Sequence, residues 1–387
     1  MDNRPNIRFK GFIDDWEQRK LGEVFVEYSE KNHEELPALT IIQGGGTILR
    51  EESDRALQYD KSSLSNYKMV RKDDFIVHLR SFEGGLEKAN TNGIISPAYH
   101  TFHGDNTDTR FYYPFFRSRR FIDVLLKPHV YGIRDGKSID IDGMKSIMIP
   151  VPSYNEQKKI GDYIETLDNL ITLHQRKCDE TKELKKFMLQ KMFPKNGADK
   201  PEIRFKGFTH AWEQRKLGEI ADCLDSMRVP INSEEREKIP GNIPYYGAGN
   251  IQGYIDKYLF DEELVLLLED GDAFDDYQTK SIAQYITGKT WVNNHAHVLR
   301  PHGHAYFLYS ILAHKDIRQW TQLAGASRKK LVQDAMLNIS VLMPSGEEQT
   351  KIGNYFYNLD NLITLHQRKC DEIKEVKKYM LQNLFVK

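Results

Sequence analysis

The sequence predicts an α+β protein: two α/β-type domains with mixed sheets, joined by two long helices in an antiparallel coiled coil, with a pseudo-two-fold internal repeat. Three observations lead to this fold class. The 14 residues LDNLITLHQRKCDE occur at 167–180 and again, unchanged, at 359–372. The segments IRFKGF and WEQRKLGE also occur twice, each at an offset of 196 residues. Finally, a long stretch around each 14-residue copy lacks proline and spaces its apolar residues as a helix does.

The repeats divide the chain into two halves that share a frame. Each half begins with an opening segment (7–23 or 203–219) and ends with a closing segment (156–193 or 348–385). The middles between them show no obvious common register, which indicates two different reading modules on one scaffold. The predicted boundaries are 1–148 for the first opening segment and middle, 149–195 for the first helix, 196–341 for the second opening segment and middle, and 342–387 for the second helix.

The closing segments are predicted to be helices that pair with each other. At 1.5 Å per residue, a helix of this length spans roughly 57 Å and needs a partner for its apolar seam. The seam positions are Ile160, Ile164, Leu167 and Ile171 in the first copy and Ile352, Phe356, Leu359 and Ile363 in the second. An antiparallel pair suits two readers on one duplex, because duplex DNA has perpendicular dyads. The alternative is a helix pair that only dimerises or stiffens the protein.

Composition argues for a folded cytoplasmic protein without a strong charge signature. The chain has 387 residues, a net charge of −1 and three cysteines, two of them inside the repeat. It shows neither an apolar run long enough for a membrane span nor a secretion signal at residues 1–12. Phosphate contacts would therefore have to come from local basic patches or from a partner subunit.

The first middle places polar residues in loops that follow strand-like runs at 39–43, 75–79 and 94–95. LTIIQGGGT and DFIVHLRSFEGGLEKAN each lead from a strand into a Gly-rich loop, where the backbone can approach a ligand, and YGIRDGKS is a third such loop. The DNA-binding candidates here are Gln43, His78, Arg80, Ser81, Lys88, Arg134 and Lys137.

The second middle contains IPYYGAGNIQGYID, LVLLLEDGDAFDD, TWVNNHAHVLRP and GASRKKL. Asn, Arg and Gln carry paired groups that match adenine and guanine edges in the major groove. The candidates here are Asn250, Asn293, Asn294, His295, Arg328 and Lys329. For any one of these residues, a role in stabilising a turn competes with a base contact.

Three motifs imitate catalytic or metal sites. AQYITGKT (283–290) fits a loose phosphate-binding loop, but an alternating β-branched run follows it instead of a helix, so we expect a hairpin turn. His174 with Cys178, and His366 with Cys370, have i,i+4 spacing, and we expect them to fill the helix seam rather than bind zinc. The acidic run LEDGDAFDD, including Asp270 and Asp272, is the basis of the alternative that this is a stand-alone metal-dependent nucleic-acid enzyme.

The chain resembles the specificity subunits of Type I restriction–modification enzymes over nearly its whole length. The pattern Pro-x-x-x-Glu-Gln-x-x-Ile before a long helix appears as PSYNEQKKI (152–160) and, slightly altered, as PSGEEQTKI (344–352). The two WEQRKLGE segments and the second middle also fit that family. The first middle departs from it, with YGIRDGKSI where the family often has a Gly-Ser-Arg type loop.

The resemblance implies a subunit that has no catalytic residues and binds no metal. Two target-recognition domains would read the parts of a split, asymmetric double-stranded DNA sequence, and the helix pair would fix the spacing between them. Two methyltransferase subunits would dock on the helices and opening segments, and restriction/translocase subunits would cleave. No cofactor is expected in this chain, since S-adenosylmethionine, ATP and Mg²⁺ would belong to the partner subunits. A non-DNA coiled-coil scaffold remains a further alternative.

Overall fold

The computed structural model describes residues 4–53, 61–132, 137–195, 197–247, 249–324 and 328–385, with the backbone alone at 61–63, 272, 323, 324 and 328. The chain forms two compact units. The first comprises Met1–His174 and Lys369–Lys387, and the second comprises Gln175–Arg368. Each unit therefore holds one opening segment, one middle and a part of each closing helix.

The first unit is built from short strands and short helices around one long helix. Its strands are β1 Glu17–Lys20, β2 Val26–Tyr28, β3 Leu39–Ile42, β4 Gly46–Leu49, β5 Lys68–Val70, β6 Phe75–Val77, β7 Glu87–Lys88, β8 Gly93–Ile95, β9 His100–His103, β10 Val130–Tyr131, β11 Ser138–Ile139 and β12 Met148–Val151. Its α-helices are α1 Leu21–Val24, α2 Ser81–Gly84, α3 Thr109–Phe116, α4 Ile141–Lys145 and α5 Tyr154–Lys191, the last of which continues into the second unit. A π-helix occupies Arg120–Leu126.

The second unit repeats this plan. Its strands are β13 Glu213–Lys216, β14 Ala221–Cys223, β15 Pro240–Tyr246, β16 Ile251–Ile255, β17 Phe260–Asp261, β18 Leu264–Leu268, β19 Ala283–Ile286, β20 Lys289–Val292, β21 Ala296–Pro301, β22 Gln322–Ala324, β23 Arg328–Lys330 and β24 Ser340–Met343. Its helices are α6 Leu217–Ile220, α7 Ser233–Glu237, α8 Ala305–Leu312, α9 Gln333–Leu337 and α10 Gly346–Asn383, the last of which ends in the first unit.

The two middles share a sheet that their sequences do not reveal. The first unit contains a four-stranded sheet in the order β2-β9-β6-β7, and the second contains one in the equivalent order β14-β21-β18-β19. In both, a wholly buried strand (β6 or β18) lies inside the sheet. The expectation of no common register therefore holds for the residues but not for the topology. The reason is that strand pairing depends on burial and backbone hydrogen bonds rather than on particular side chains.

The helix that follows the shared sheet also corresponds between the units. Helices α3 and α8 have eight residues each and start 196 positions apart, at the offset of the opening segments. Trp16 meets Phe111 of α3 edge to face at 5.6 Å, and Trp212 meets Phe307 of α8 at 5.8 Å. A tryptophan of each opening segment thus anchors the helix of its own middle.

The units differ in the strands added around the shared sheet. In the second unit, β16-β15-β20-β17 forms a second four-stranded sheet, in which β15 and β20 run parallel and the other pairs antiparallel. In the first unit the pairs β3-β4, β5-β8 and β10-β11 take its place, and the ladders described there are antiparallel.

Within each unit, parts of α5 and α10 lie antiparallel. In the first unit, Asp168 forms an ion pair with Lys377, and Ile171 lies against Cys370. In the second unit, the carbonyl oxygen of Ile363 is 3.8 Å from the sulfur of Cys178. Residue numbers rise along one helix as they fall along the other. The predicted α+β fold class with its antiparallel helix pair is confirmed.

The repeated motifs meet at one joint in each unit. Ser153 caps α5, and the amide of Gln157 donates to the carbonyl of Pro152 at 2.9 Å. The buried carboxylate of Glu156 accepts two hydrogen bonds from Arg8 at 2.7 Å and one from the indole of Trp16 at 3.1 Å. These contacts explain why the Pro-x-x-x-Glu-Gln motif, IRFKGF and WEQRKLGE recur together.

The second joint repeats the ion pair and the contact with proline, but among the described residues the indole N–H of Trp212 has no hydrogen-bond partner. Arg204 donates twice to the buried carboxylate of Glu348, at 2.6 and 2.7 Å, and Gln349 donates to Pro344 at 3.0 Å. The opening segment of each unit is also tied to the end of a long helix, because Ile7 N–H donates to Asn383 and Ile203 N–H donates to Lys191.

Candidate nucleic-acid interface

The loops of the first middle are organised by one buried carboxylate, Glu87 of β7. Its oxygens accept hydrogen bonds from the backbone N–H groups of Gly44 and Gly46, at 2.7 and 3.1 Å. The hydroxyl of Tyr113 donates to the same carboxylate at 2.6 Å, and the guanidinium of Arg117 pairs with it. Glu87 is fully buried and thereby fixes the Gly-rich loop next to α3.

The glycines of this loop are required by its geometry. Gly44 and Gly46 have φ angles of +83° and +74°, a region that disfavours residues with a Cβ. A Cβ at Gly46 would also lie 2.6 Å from the carbonyl oxygen of Lys88. The loop therefore presents Gln43, which is exposed, in a fixed backbone conformation.

His78 follows β6 and is enclosed by the loops around α2. Its Nδ1 accepts the backbone N–H of Arg80 at 3.3 Å, so the ring proton lies on Nε2, which has no hydrogen-bond partner among the described residues. Burial, and then the charges of Arg117 and Arg80, lower the pKa of His78 to about 4. At neutral pH the ring is therefore an uncharged donor, and contact with a base acceptor requires movement of the surrounding loops.

The structure gathers the other described candidates of the first middle near α2 and β7. Ser81 is buried, and its hydroxyl accepts the N–H of His78 at 2.9 Å, so it stabilises the turn. Arg80 is exposed at the start of α2, and Lys137 lies over the ring of Phe82 in α2. Lys88 lies over the ring of Tyr113 at 5.4 Å. Arg134 lies outside the described residues.

Four candidates of the second middle, Asn250, Asn293, Asn294 and His295, lie in the loops that follow two strands of its mixed sheet. Strands β15 and β20 are parallel, with Tyr246 opposite Val292, so the loops that follow them leave from the same edge. Asn250 is exposed in the first loop, and Asn294 is exposed in the second. The N–H of Asn293 donates to the carbonyl of Tyr246 at 3.0 Å, which joins the two loops.

Asn293 itself has a structural part in this loop pair. Its side chain is 4% exposed, and its carbonyl oxygen accepts the N–H of His295 at 2.9 Å. This arrangement is typical of an Asx turn, which leaves the neighbouring Asn294 and the half-exposed His295 as the groups that face outward.

The acidic run 269–276 is paired with cations. Glu269 contacts Arg228 at 2.6 Å and Lys330 at 2.8 Å, and Asp270 lies 3.3 Å from His295. Lys329, one of the DNA-binding candidates, forms an ion pair with Asp275. For Asp272 and Arg328 the structure describes the backbone alone. The described carboxylates thus face different side-chain partners, which disfavours a shared divalent metal ion.

One other cluster has the residue types of a metal site. Among the described residues, Cys223, Asp225 and His297 place potential ligand atoms within 4.8 Å of one another. Both ring nitrogens of His297 are engaged, by Asp225 at 2.5 Å and by the carbonyl of Leu331 at 2.8 Å. The guanidinium of Arg228 lies 3.3 Å from Asp225, and burial raises the pKa of the Cys223 thiol to about 11. These contacts fit a buried polar network better than a cation site.

The residues predicted for the helix seam are largely buried, and several pack into the core of their own unit: Ile160 and Ile164 with Trp16 and Phe111, and Ile352 and Phe356 with Trp212 and Phe307. Six of the eight are at most 7% exposed: Ile160, Ile164, Leu167, Ile352, Phe356 and Leu359. Ile171 and Ile363 are half-buried. Cys178 and Cys370 are fully buried, and each thiol faces a backbone carbonyl of the opposite helix at 3.8–3.9 Å.

The segment 283–290 connects two strands. β19 ends at Ile286 and β20 begins at Lys289, so no helix follows to present N–H groups to a phosphate. The expected hairpin is wrong in one respect, because β19 and β20 belong to different sheets and do not pair.

Sequence reasoning missed two kinds of residue. Glu87 organises the first interface, but a single carboxylate in a short strand carries no signal at the sequence level. The segment Arg117–Ser118–Arg119–Arg120 does carry one, because it is a dense run of arginine beside an aromatic helix.

No helix in the described part of the chain is both long and apolar enough to cross a bilayer.

Comparison with known proteins agrees with this architecture. The family described as Type I restriction modification DNA specificity domain matches twice, at residues 13–183 and 210–375. A putative type I restriction enzyme specificity subunit of Haemophilus influenzae is 38% identical over 142 residues, or 36% of this chain and 35% of that protein. The MjaVIII type I restriction enzyme specificity subunit of Methanocaldococcus jannaschii is 22% identical over 64% of this chain and 63% of its own length. The matches thus span less than two thirds of these relatives.

A solved structure shows the same fold. The S subunit of a type I restriction-modification system from M. genitalium superposes with a TM-score of 0.63, at 18% identity, over 99% of both chains. At this identity the likeness concerns the fold alone.

Proposed function

The chain belongs to the Type I restriction–modification DNA specificity family, and we propose that it is the DNA-recognition subunit of such a complex. Each unit would read one part of a bipartite, asymmetric sequence in double-stranded DNA. The paired helices would set the length of the unread spacer. The chain itself would not catalyse a reaction, and it would act in the cytoplasm.

One observation supports this proposal above all: the two units share a frame and differ in their loops. The same joint recurs around Glu156 and Glu348, and the same four-stranded sheet order recurs in both units. Several candidate base-reading residues lie outside the shared sheet: Gln43 and Arg80 lie near α2 in the first unit, and Asn250 and Asn294 lie beyond β15 and β20 in the second. Two different readers on one frame are what an asymmetric target requires.

The repeated surface would serve two identical methyltransferase subunits. Exposed apolar side chains recur at equivalent positions of the two helices: Leu170 and Leu362, Leu184 and Val376, and Phe187 and Tyr379, each 37–57% exposed. Exposed apolar groups on a repeated frame fit repeated protein partners. S-adenosylmethionine, ATP and Mg²⁺ would be bound by the methyltransferase and restriction/translocase subunits rather than by this chain.

The test is to map methylated adenines in a genome that expresses this chain with its methyltransferase partner. We expect one bipartite sequence, and exchange of residues 220–340 for another second middle should change one part of it and leave the other part intact. Changes in both parts would contradict the assignment of one part to each unit. Purified chain incubated with DNA, Mg²⁺ and S-adenosylmethionine should neither cut nor methylate, and activity without partners would contradict a non-catalytic role.

A further inference from the structure

The first unit contains a cleft of about 890 Å³ between the domain and the two long helices. Its walls come from the Gly-rich loop at Gly44, from α3 and the segment after it, and from the parts of α5 and α10 that belong to this unit. Six cationic side chains line the cleft, against the two carboxylates of Glu165 and Asp168: Lys88, Arg110, Arg117, Arg119, Arg120 and Lys377. This is a local excess of positive charge in a chain whose net charge is −1.

Half of these cations are already paired within the protein. Arg110 contacts Asp162 at 2.7 Å and Glu165 at 2.8 Å, in addition to Asp108. Arg117 is bound by Glu87, and Lys377 by Asp168. These three side chains hold the walls of the cleft together and are not free to bind another anion at full strength.

The other three cations are available. Arg120 and Lys88 have no carboxylate within 4.0 Å among the described residues. The side chain of Arg119 is 86% exposed, and its only ion pair among the described residues is with the half-exposed Asp123 at 3.5 Å. A pair of this kind contributes little, so the guanidinium of Arg119 is effectively free.

We propose that this cleft binds backbone phosphates of duplex DNA through Arg119, Arg120 and Lys88. The inference rests on the proposed function and adds to it the place where the first unit holds the DNA backbone. Gly44 borders the cleft, and its N–H donates to Glu87, the residue before Lys88. The residue before Gly44 is Gln43, a candidate for base contact. Backbone contacts beside a reading loop fix the register of that loop on the duplex. Arginine suits this task because its guanidinium donates two parallel hydrogen bonds to a phosphate.

The second unit lacks the same free cations. At the offset of 196 that relates α3 to α8, Arg117, Arg119 and Arg120 correspond to Ala313, Lys315 and Asp316. Only one of these three positions keeps a cation, Lys315, and the position of Arg120 holds a carboxylate, Asp316, which is paired with Arg318 at 2.7 Å. The proposed phosphate-binding site therefore belongs to the first unit and is not part of the repeated frame.

The test measures DNA binding by the complex of this chain with its methyltransferase subunits. The double variant Arg119→Gln/Arg120→Gln is compared with wild type on a duplex that contains the target and on one that does not, over a range of salt concentrations. Loss of two phosphate contacts should make the slope of log K against log salt shallower by about 1.8, at about 0.9 per phosphate. Both duplexes should be affected alike, so the ratio of specific to non-specific affinity should stay unchanged.

The matched control is Lys31→Gln/Lys127→Gln, which removes two exposed positive charges that do not line the cleft. It should leave the slope within error of wild type. If wild type binds its target and the Arg119/Arg120 variant has an unchanged slope, the cleft proposal is wrong while the proposed function stands. If the variant instead assembles poorly with the methyltransferase but binds DNA normally once assembled, the cleft takes an acidic protein segment and the proposal is overturned. Wild-type complex without sequence-specific binding would contradict the proposed function itself.

Discussion

Glu156 connects the first long helix to the opening segment, from which it is distant in sequence. Its carboxylate is 1% exposed and receives all three of its hydrogen bonds from the opening segment, two from Arg8 and one from Trp16. A buried carboxylate of this kind is tolerated because a guanidinium neutralises it and its lone pairs are occupied. The residue therefore determines where α5 begins relative to the strand β1.

Glu156→Gln should destabilise the first unit by roughly 3 kcal/mol, because it leaves the largely buried guanidinium of Arg8 without a counter-charge. Urea unfolding followed by the fluorescence of tryptophan, which includes Trp16, measures the change. Glu180→Gln on the same helix is the control. Its pair with Arg176 is exposed at both ends, so the cost should stay below about 1 kcal/mol.

The equivalent substitution Glu348→Gln should cost less than Glu156→Gln. Glu348 accepts only the two bonds from Arg204, since the indole N–H of Trp212 has no partner among the described residues. Equal costs for the two substitutions would show that the bond from Trp16 contributes nothing measurable.

His78 gives the first unit a specific dependence on pH. Because its pKa is lowered to about 4 in the folded protein, the unfolded chain binds a proton near pH 6.5 that the folded chain does not bind. Stability from this residue is thus complete above about pH 6.5 and is lost as the pH falls towards 4.

The variant His78→Gln removes this dependence. The free energy of unfolding of wild type relative to His78→Gln should fall by about 2 kcal/mol between pH 7.5 and pH 5.0, since each pKa unit corresponds to about 1.4 kcal/mol. Comparison with the variant cancels the titration of other groups. A difference that does not change with pH would mean that the pKa of His78 is the same in the folded and the unfolded chain.

At the scale of elements, the two long helices differ at positions that touch their own middles. Asp162 and Glu165 of α5 bind Arg110 of α3. At the corresponding positions of α10, Asn354 contacts His304 at 3.2 Å and Tyr357 packs on the ring of Tyr306 at 5.2 Å. The helices thus differ where each contacts its own middle, although 14 consecutive residues are the same in both.

The double variant Asp162→Asn/Glu165→Tyr gives α5 the residues of α10. It should destabilise the first unit by about 1 kcal/mol, because Arg110 loses two partners that are themselves half-exposed. Thr166→Asn also makes α5 identical to α10 at one position, but Thr166 is exposed, and this control should change the unfolding free energy by less than about 0.5 kcal/mol. If the double variant and the control changed the unfolding free energy equally, the proposed adaptation of α5 to its own middle would be contradicted.

The long helices could be predicted from the sequence, whereas the arrangement of the middles could not. α5 and α10 extend over 38 residues each with one apolar periodicity, and their repetition marks both bounds. The strands of the middles have two to seven residues and pair with distant partners, as β2 does with β9. The placement of Lys88 beside the Gly-rich loop depends on such pairing and on the buried Glu87. Single residues could therefore be predicted as candidates, but not which of them lie together.

At the scale of the whole molecule, the same kind of contact between an opening segment and a long helix occurs in each unit. Each opening segment is bonded to the end of a long helix: Ile203 to Lys191, which precedes it directly in the chain, and Ile7 to Asn383, which lies at the other end of the sequence. The two units therefore have equivalent contacts, although the contacting residues are close in the chain in one unit and far apart in the other. This equivalence lets each half contribute one helix segment to each unit, and it makes the helix pair the part of the chain that both units share.

If the helix pair sets the spacer, its length should change the spacing of the target and not the bases read. Insertion of one heptad after His174 and another after His366 lengthens both helices by roughly 10 Å and keeps the apolar seam in phase. That length corresponds to about three base pairs of duplex, so the methylated adenines should lie farther apart while the two half-sequences stay the same. Mapping of methylated adenines measures both quantities at once. A heptad of the same composition placed after Lys195, outside both helices, should leave the spacing unaltered, and a change in the half-sequences after helix insertion would mean that the helices act on recognition itself.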